Sequence, residues 1–550
     1  MPSLTTLSVP IPQEGFKDKL PGSTMIMGAN VSMNGFTKAL LQYGGYDRYY
    51  YICEGPEKID EAKECLRQYP NHERTEVILL DEYWKMKQLD QMVLFDIGPM
   101  LYLQASLRKA QGQARWPITG ITHSLSGNAH LLQALQIILG DLYEYDRLVC
   151  TSQAGRQVVE NLLNSICGHL ERKYSRSFFP KFQLPVIPLG TDAAQFQPAD
   201  RSEARKRSEL PMDHVIFLYV GRFSTHYKMD LCPLILAFSQ VLADSDGRRM
   251  SLVLAGDDIQ HKLAPQLRQF GNELGLGDKL VIRPNITNEE KRQLYSTGDV
   301  FVSLSDNVQE TFGVTIIEAM SAGLPVIGSD WNGYKETIEH GNTGFLVPTY
   351  WADCIDIESR LASLRSTMEV HRRLAEVVSV DMKSLVGYIE LMSKNASLRR
   401  EMGAAARRRI LQHYDWPVIV KAYEELWADQ LEQARLSASE RDYHHGIDTY
   451  DYLNVFGHFS TGVIDINTKL QITPMGRALV ENTSDCKPSI HAELGDGTAL
   501  LAQFMKTHDG DEKFVVGDFI QCVGSENERF TRNTFRSTAK LVKYGFLTVC

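Results

Sequence analysis

The stretch SLSDNVQETFGVTIIEAMSAGLP, residues Ser303–Pro325, decides the fold. A β-type run, Asp299–Leu304, leads into it, and a second short apolar run, Pro325–Gly328, follows it. Between them the residues pass from a polar, glycine-containing segment into an apolar run with helical spacing. The order is therefore strand, loop, helix, strand, the repeating unit of a parallel α/β sheet. Glu310 falls in the loop. Glu318, eight residues on, falls about two turns into the helix, among Ile316, Ile317, Ala319 and Met320. A helix N-terminus presents unpaired N–H groups and the positive end of its dipole. With an acid at each end, such a pocket suits an anionic ligand that also carries hydroxyl groups.

Working outward from this unit, Val215–Gly221, Ser251–Ala255 and Lys279–Ile282 are apolar runs separated by segments long enough for helices. Near-continuous apolar runs fit strands buried on both faces. They define a second Rossmann-like domain over residues 213–410, with residues 350–378 read as an insertion. The polar segment 196–212 reads as a linker or surface helix. Upstream, strand-like and helix-like stretches alternate across 23–195, and residues 1–22 read as an irregular lead-in. In this scheme Ser23–Asn30 is the first strand, Val31–Gly35 its loop and Phe36–Tyr43 the helix that follows. A helix opening near Pro417 and carrying Trp416, Tyr423 and Trp427 occupies 411–430. The character changes beyond about residue 435, so 440–550 is set apart as an accessory α+β domain.

The 550 residues suffice for two or three domains. A formal net charge of −10 argues against a nucleic-acid coat, though not against a local basic face. The 9 cysteines are scattered and form no CxxC pair, which fits reduced thiols rather than a zinc site or a disulfide framework. The opening MPSLTTLSVPIPQEGFKDKL lacks the pattern of a secretory leader, and no apolar run reaches the ~18 residues of a membrane span. The expected location is cytoplasmic, with any membrane contact made from the inner face. The basic and aromatic stretch Arg172–Phe182 is the candidate for such a peripheral contact.

Several further residues carry chemistry. Arg222 leaves the strand Val215–Gly221 at its carboxyl end, where open α/β sheets bind ligands, and Lys228 follows six residues later. A planar guanidinium and a mobile ammonium together suit a diphosphate. His123 ends a plausible strand in Ile118–Ser126. Gly35 would let a loop backbone approach a phosphate. The two Asp-x-Asp triplets, at 244–246 and 509–511, sit in turn-like polar surroundings and read as loops.

In this order the pieces Gly35, His123, CTSQAGRQ (150–157), IPLGTD (187–192), GRFSTHYK (221–228), LAGDD (254–258), QETFGVTIIEAMSAGLPVIGSD (309–330) and NTGFLVP (342–348) resemble the retaining GT-B glycosyltransferases. That family includes sucrose-phosphate synthases and many bacterial polysaccharide and glycolipid enzymes, and the resemblance covers about residues 20–430. It implies two Rossmann-like domains facing a cleft, with 411–430 crossing back onto the first. It implies that Glu318 holds the ribose hydroxyls of a nucleoside diphosphate sugar and Glu310 the hydroxyls of the transferred sugar. Arg222 and Lys228 would neutralise the diphosphate, so that no metal is required and the nucleotide sugar is a co-substrate rather than a cofactor. Backbone amides of Phe312, Gly313 and Val314 would bind phosphate and sugar oxygens, His123 would face the sugar, and Gly35 would take the glycine-loop position.

The acceptor implied is a hydroxyl of a glycan or glycolipid. Alternatives on the same fold are a nucleotide-sugar epimerase or a phosphorylase. A third reading is a regulatory protein acting through 440–550. Within that extension Arg532–Leu547 resembles the third helix and wing of a winged-helix module. Its Arg532, Arg536, Lys540 and Lys543 share one face, for which a solvated surface, a protein partner or a second copy of the chain ranks ahead of nucleic acid.

Overall fold

The computed structural model describes residues 6–10, 28–53, 55–79, 92–96, 98–99, 101–110, 116–127, 129–244, 249–437, 451–481, 494–508, 513–523 and 528–550. By spatial clustering the chain forms two compact units, Met1–Thr449 and Tyr450–Cys550.

The first unit holds two six-stranded parallel sheets. The strands of one are β1 Thr6–Pro10, β2 Arg48–Cys53, β3 Thr75–Leu79, β4 Val93–Asp96, β5 Ile118–Ile121 and β6 Arg147–Val149. Those of the other are β7 Val215–Val220, β8 Met250–Gly256, β9 Leu280–Pro284, β10 Val300–Ser303, β11 Val326–Ser329 and β12 Gly344–Val347. Their orders, β3-β2-β1-β4-β5-β6 and β12-β11-β10-β7-β8-β9, are doubly wound. Each sheet reverses direction beside its first strand, and ligands of such sheets bind outside the strand carboxyl ends at that point. All seven residues of β8 and all four of β10 and β11 are buried, as strands covered on both faces require.

The opening of the chain differs from the sequence reading. β1 lies at Thr6–Pro10, inside the segment read as an irregular lead-in, and pairs with β2 and β4. Residues 11–27, which include most of the expected first strand, lie outside the described residues. Residues 28–30 already belong to a helix, Gly28–Tyr43. Gly35 is therefore mid-helix and not in a loop. Its place is set by packing: a Cβ there would stand 2.9 Å from Cζ2 of Trp416.

Trp416 opens the helix Trp416–Leu436, capped by the Asp415 side chain. This helix lies against the first sheet. Its Tyr423 and Trp427 meet Phe36, Phe95 and Tyr46 at ring separations of 4.7–6.1 Å. Gln430, fully buried in the same helix, accepts from the Thr119 hydroxyl at 2.6 Å and donates to the carbonyls of Ile118 and Tyr145 at 3.0 and 2.8 Å. A Gln430→Leu substitution keeps the volume but leaves these groups without partners. It is expected to cost roughly 2–4 kcal/mol, read as a lower denaturant midpoint at unchanged slope.

The linker is also more than a spacer. Its helix Arg201–Arg207 sends Arg205, buried, to Asp299 at 2.6 Å, while Ile216 N–H donates to the same carboxylate at 2.8 Å. The start of β7, the approach to β10 and the linker are thereby tied at one acid.

After β12 the chain makes an excursion. β13 Thr349–Trp351 pairs antiparallel with β14 Val378–Val380, so the intervening residues leave and re-enter at one place. They carry the helices Asp356–Leu361 and Thr367–Ala375.

In the second unit β15 Lys469–Ile472 lies between β16 Phe514–Val515 and β17 Leu547–Val549, all antiparallel. Four helices, Pro474–Glu481, Gly497–Met505, Val516–Val523 and Glu528–Lys543, surround a core of Leu470, Leu501, Phe504, Phe519 and Leu541. The helix Glu528–Lys543 turns at Gly545 into β17. Arg536, Lys540 and Lys543 are exposed on it, while the side chain of Arg532 lies outside the described residues. Residues 245–246 and 509–511 of the Asp-x-Asp triplets also lie outside them.

Candidate active site

The loop that follows β10 is built around Asn307. Its side chain donates to the carbonyl of His226 at 2.7 Å and accepts from Gln309 N–H at 2.9 Å, and its carbonyl accepts from Trp331 Nε1 at 3.1 Å. The loop after β10 is thus joined to the loop after β7. The result is to bring Glu310 against Lys228, whose ammonium donates to Glu310 Oε2. Both side chains are nearly buried, at 15% and 11% exposed. Burial acts to raise the Glu310 carboxyl. The ammonium of Lys228, the guanidinium of Arg222 and the Phe312 N–H outweigh it and hold the carboxyl below its usual range. Burial depresses the Arg222 guanidinium, with Glu310 opposing, and that guanidinium lies over the Tyr227 ring at 5.5 Å from its centroid.

Glu310 is followed by Thr311, Phe312 and Gly313. Gly313 caps the helix Val314–Ser321 at φ +98°, a left-handed conformation, and the helix start at Phe312, Gly313 and Val314 lies in the cavity wall. The first domain closes the other side. Thr311 Oγ1 donates to the His123 carbonyl at 3.0 Å, and Ser152 Oγ donates to the Thr311 carbonyl at 2.8 Å. The Glu336 carboxylate accepts from Gln153 and Ala154 N–H at 2.8 and 2.9 Å, at the N-terminus of the helix Gln153–Tyr174.

One cavity of about 240 Å³ is walled by His123, Arg222, Lys228, Glu310, Phe312, Gly313 and Val314 together. These seven residues come from three separated segments and both sheets. Glu318 and Gly35 do not line it. They line an adjoining hollow of about 220 Å³, which shares Val31, Asn288, Lys291 and Val314 with the first. Glu318 is 3% exposed and fully engaged: Lys291 Nζ donates to Oε1 at 2.6 Å and the Tyr295 hydroxyl to Oε2 at 2.8 Å.

Sequence reasoning missed Lys291 and Tyr295, which sit on an ordinary charged helix, Asn288–Tyr295. The Lys-x-x-x-Tyr spacing that puts both on one face was the available signal. It also missed Gly256, Asp257, Ile286 and Thr287, which bring the ends of β8 and β9 into the cavity wall. Asp306, whose carboxyl burial pushes up to about 7, was missed as well; its Oδ2 accepts from Asp230 N–H at 3.0 Å. Among the described residues no cluster of three or more His, Cys, Asp or Glu could hold a metal ion.

Residues 200–378 match the sequence model of the family described as glycosyl transferases group 1. A D-inositol 3-phosphate glycosyltransferase of Geodermatophilus obscurus is 33% identical over 166 residues, 30% of this chain and 36% of that protein. Its counterpart in Nocardia farcinica is 28% identical over 219 residues, 38% and 44% of the two chains. The chain thus spans less than half the length of these curated relatives. Among solved structures, sucrose-phosphate synthase of Thermosynechococcus elongatus superposes with a TM-score of 0.50 at 18% identity, over 78% of this chain and all of that one. Anabaena HepE in complex with UDP gives 0.51 at 17% identity, over 77% and 100%. A glycosyltransferase of Rickettsia africae gives 0.52 at 16%, over 78% and 100%. At these identities the likeness establishes the fold, GT-B.

Proposed function

From the match of residues 200–378 to the glycosyl transferases group 1 model, we propose that the chain is a retaining glycosyltransferase. It would move a sugar from a nucleoside diphosphate donor to a hydroxyl of a glycan or glycolipid. The observation that carries this reading is the convergence of His123, Arg222, Lys228, Glu310 and a helix N-terminus on one cavity. The chemistry follows from charge. Breaking the bond between the anomeric carbon and the diphosphate oxygen builds negative charge on the leaving group. Arg222, Lys228 and the amides of Gly313 and Val314 stabilise that charge without a metal. Glu310, kept ionised, accepts from sugar hydroxyls and orients the donor. In a same-face transfer the acceptor hydroxyl bonds to the anomeric carbon and its proton passes to the departing diphosphate.

In the donor-free protein Lys228 is held by Glu310 and Lys291 by Glu318. A bound donor would take a share of both cations. Because the HepE structure of the same fold holds UDP, a uridine nucleotide sugar is the first donor to try. No described helix is long and apolar enough to cross a membrane. The exposed Tyr174 and Phe179 beside Arg172, Lys173 and Arg176 form the surface at which a lipid-linked acceptor would approach a cytoplasmic enzyme.

The test is a thermal-shift screen with UDP-, GDP- and ADP-sugars. One donor class at 100 times its dissociation constant should stabilise the protein by ~2.7 kcal/mol, and the others should do nothing. Product analysis with that donor should then find a new glycosidic linkage. A product in which the sugar is only epimerised or phosphorolysed would replace this reading, and no stabilisation by any donor would remove it.

A further inference from the structure

The excursion between β13 and β14 reaches beyond the domain that carries it. His371, in its helix Thr367–Ala375, is 2% exposed. Its Nε2 donates to the carbonyl of Ser126 at 3.3 Å. Ser126 lies 245 residues away in the first domain, on the loop 122–127 that also bears His123 and Ser124. The other face of His371 meets the Tyr227 ring edge-on at 6.1 Å. Tyr227 lines the donor cavity and supports the Arg222 guanidinium.

The loop after β7 is therefore held from two sides. From within its own domain, His226 stacks on His261 at 4.9 Å and 7°, and Ser224 Oγ lies 3.0 Å from His261 Nε2. On its other side Tyr227 meets His371 of the same domain's excursion, and it is His371 that reaches across to Ser126. The helix bearing His371 is itself braced by ion pairs that do not involve the cavity, Arg372 and Arg373 to Glu369 and Arg373 to Glu358.

We infer that His371 is a positioning residue, and that the excursion is a brace fixing the distance between the loop of His123 and the loop of Arg222 and Lys228. The inference rests on the glycosyl-transfer reading of the cavity. The bond from Nε2 to Ser126 closes a ring of contacts around the reacting centre. It runs from Ser126 through His371 and Tyr227 to Arg222, and returns through Glu310 and Thr311 to His123. Small displacements of groups that act only on the transition state reduce turnover more than they reduce donor binding.

The test compares His371→Leu, which keeps the packing and loses the donor, with His371→Gln, whose amide can supply an N–H at the Nε2 position. In the donor-free full chain, His371→Leu should speed amide exchange about five-fold or more in both 122–127 and 224–228, as loss of one hydrogen bond allows. It should lower kcat for transfer about ten-fold with donor KM within about two-fold of the parent. His371→Gln should restore both readouts. Unchanged exchange in the two loops with Leu, or equal impairment with Leu and Gln, overturns the inference. If the unaltered chain transfers no sugar, the functional reading fails, and the exchange comparison alone decides whether the brace exists.

Discussion

Replacing Lys228 with methionine is expected to lower turnover of sugar transfer by about 10³-fold, the scale on which one preorganised stabiliser of a developing charge contributes. The reason is local. Lys228 stands with Arg222 and Lys291 in the wall of the cavity, and its ammonium is already immobilised by the Glu310 carboxylate. On the proposed reaction, no reorganisation would then be needed as charge develops on a diphosphate leaving group. The same substitution leaves Glu310 nearly buried without its ion-pair partner, at a cost of about 3 kcal/mol in stability. The double variant Lys228→Met/Glu310→Gln should recover most of that stability and none of the activity, which separates folding from catalysis.

The pH dependence has a definite sign. In the parent the Glu310 carboxyl is held below its usual range, so its contribution to stability is present above the ordinary carboxylate pKa and is lost as pH falls through the lowered value. With Lys228 gone, burial dominates and the sign reverses: Glu310 then penalises folding as pH rises. Denaturation midpoints at several pH values for parent and variant check this. A variant whose turnover stays within about ten-fold of the parent would remove Lys228 from the site.

How much of this was legible depended on whether the signal was local. The loop–helix at 303–325 was, because its apolar run, its glycine and its flanking strands all lie within one βαβ unit. The signal for Arg222, Lys228, Glu310 and His123 was local too, since each lies past a strand end, and the fold brings the four to one cavity wall. Gly35 was misread because Asn34-Gly35 is a turn signal in sequence, while the reason for glycine there is Trp416, some 380 residues on. β1 was missed because five residues ending in proline carry almost no pattern. Its register comes from pairing with β2 and β4. Glu318 was recognised as a buried acid in need of a partner, but that partner, Lys291, reads as one charge among several on a polar helix. His371 was illegible for the same reason: nothing near it in sequence announces Ser126 or Tyr227.

Gly313→Ala is the second substitution with a large expected effect, and it tests how strictly the helix N-terminus is placed. The residue has φ +98° and ψ 70°, which already penalises any side chain. A Cβ would also stand 2.3 Å from Cε1 and 2.9 Å from Cδ1 of Tyr334. Tyr334 has nowhere to go: it is fully buried and its hydroxyl is 2.9 Å from Ser303 Oγ, on β10 itself. Either the ring or the turn must move, and both carry the start of the helix Val314–Ser321. The expected loss is about 4 kcal/mol of stability, together with disappearance of the donor-induced thermal shift.

Gly341→Ala supplies the control. That glycine is also left-handed, at φ +79°, but a Cβ there meets nothing within 4 Å. It should cost only the ~1–2 kcal/mol of the backbone conformation and leave donor binding intact. If the two variants lose the same stability and both retain the donor response, contact with Tyr334 does not set the helix start. The amides of Phe312, Gly313 and Val314 would then not be the anion site.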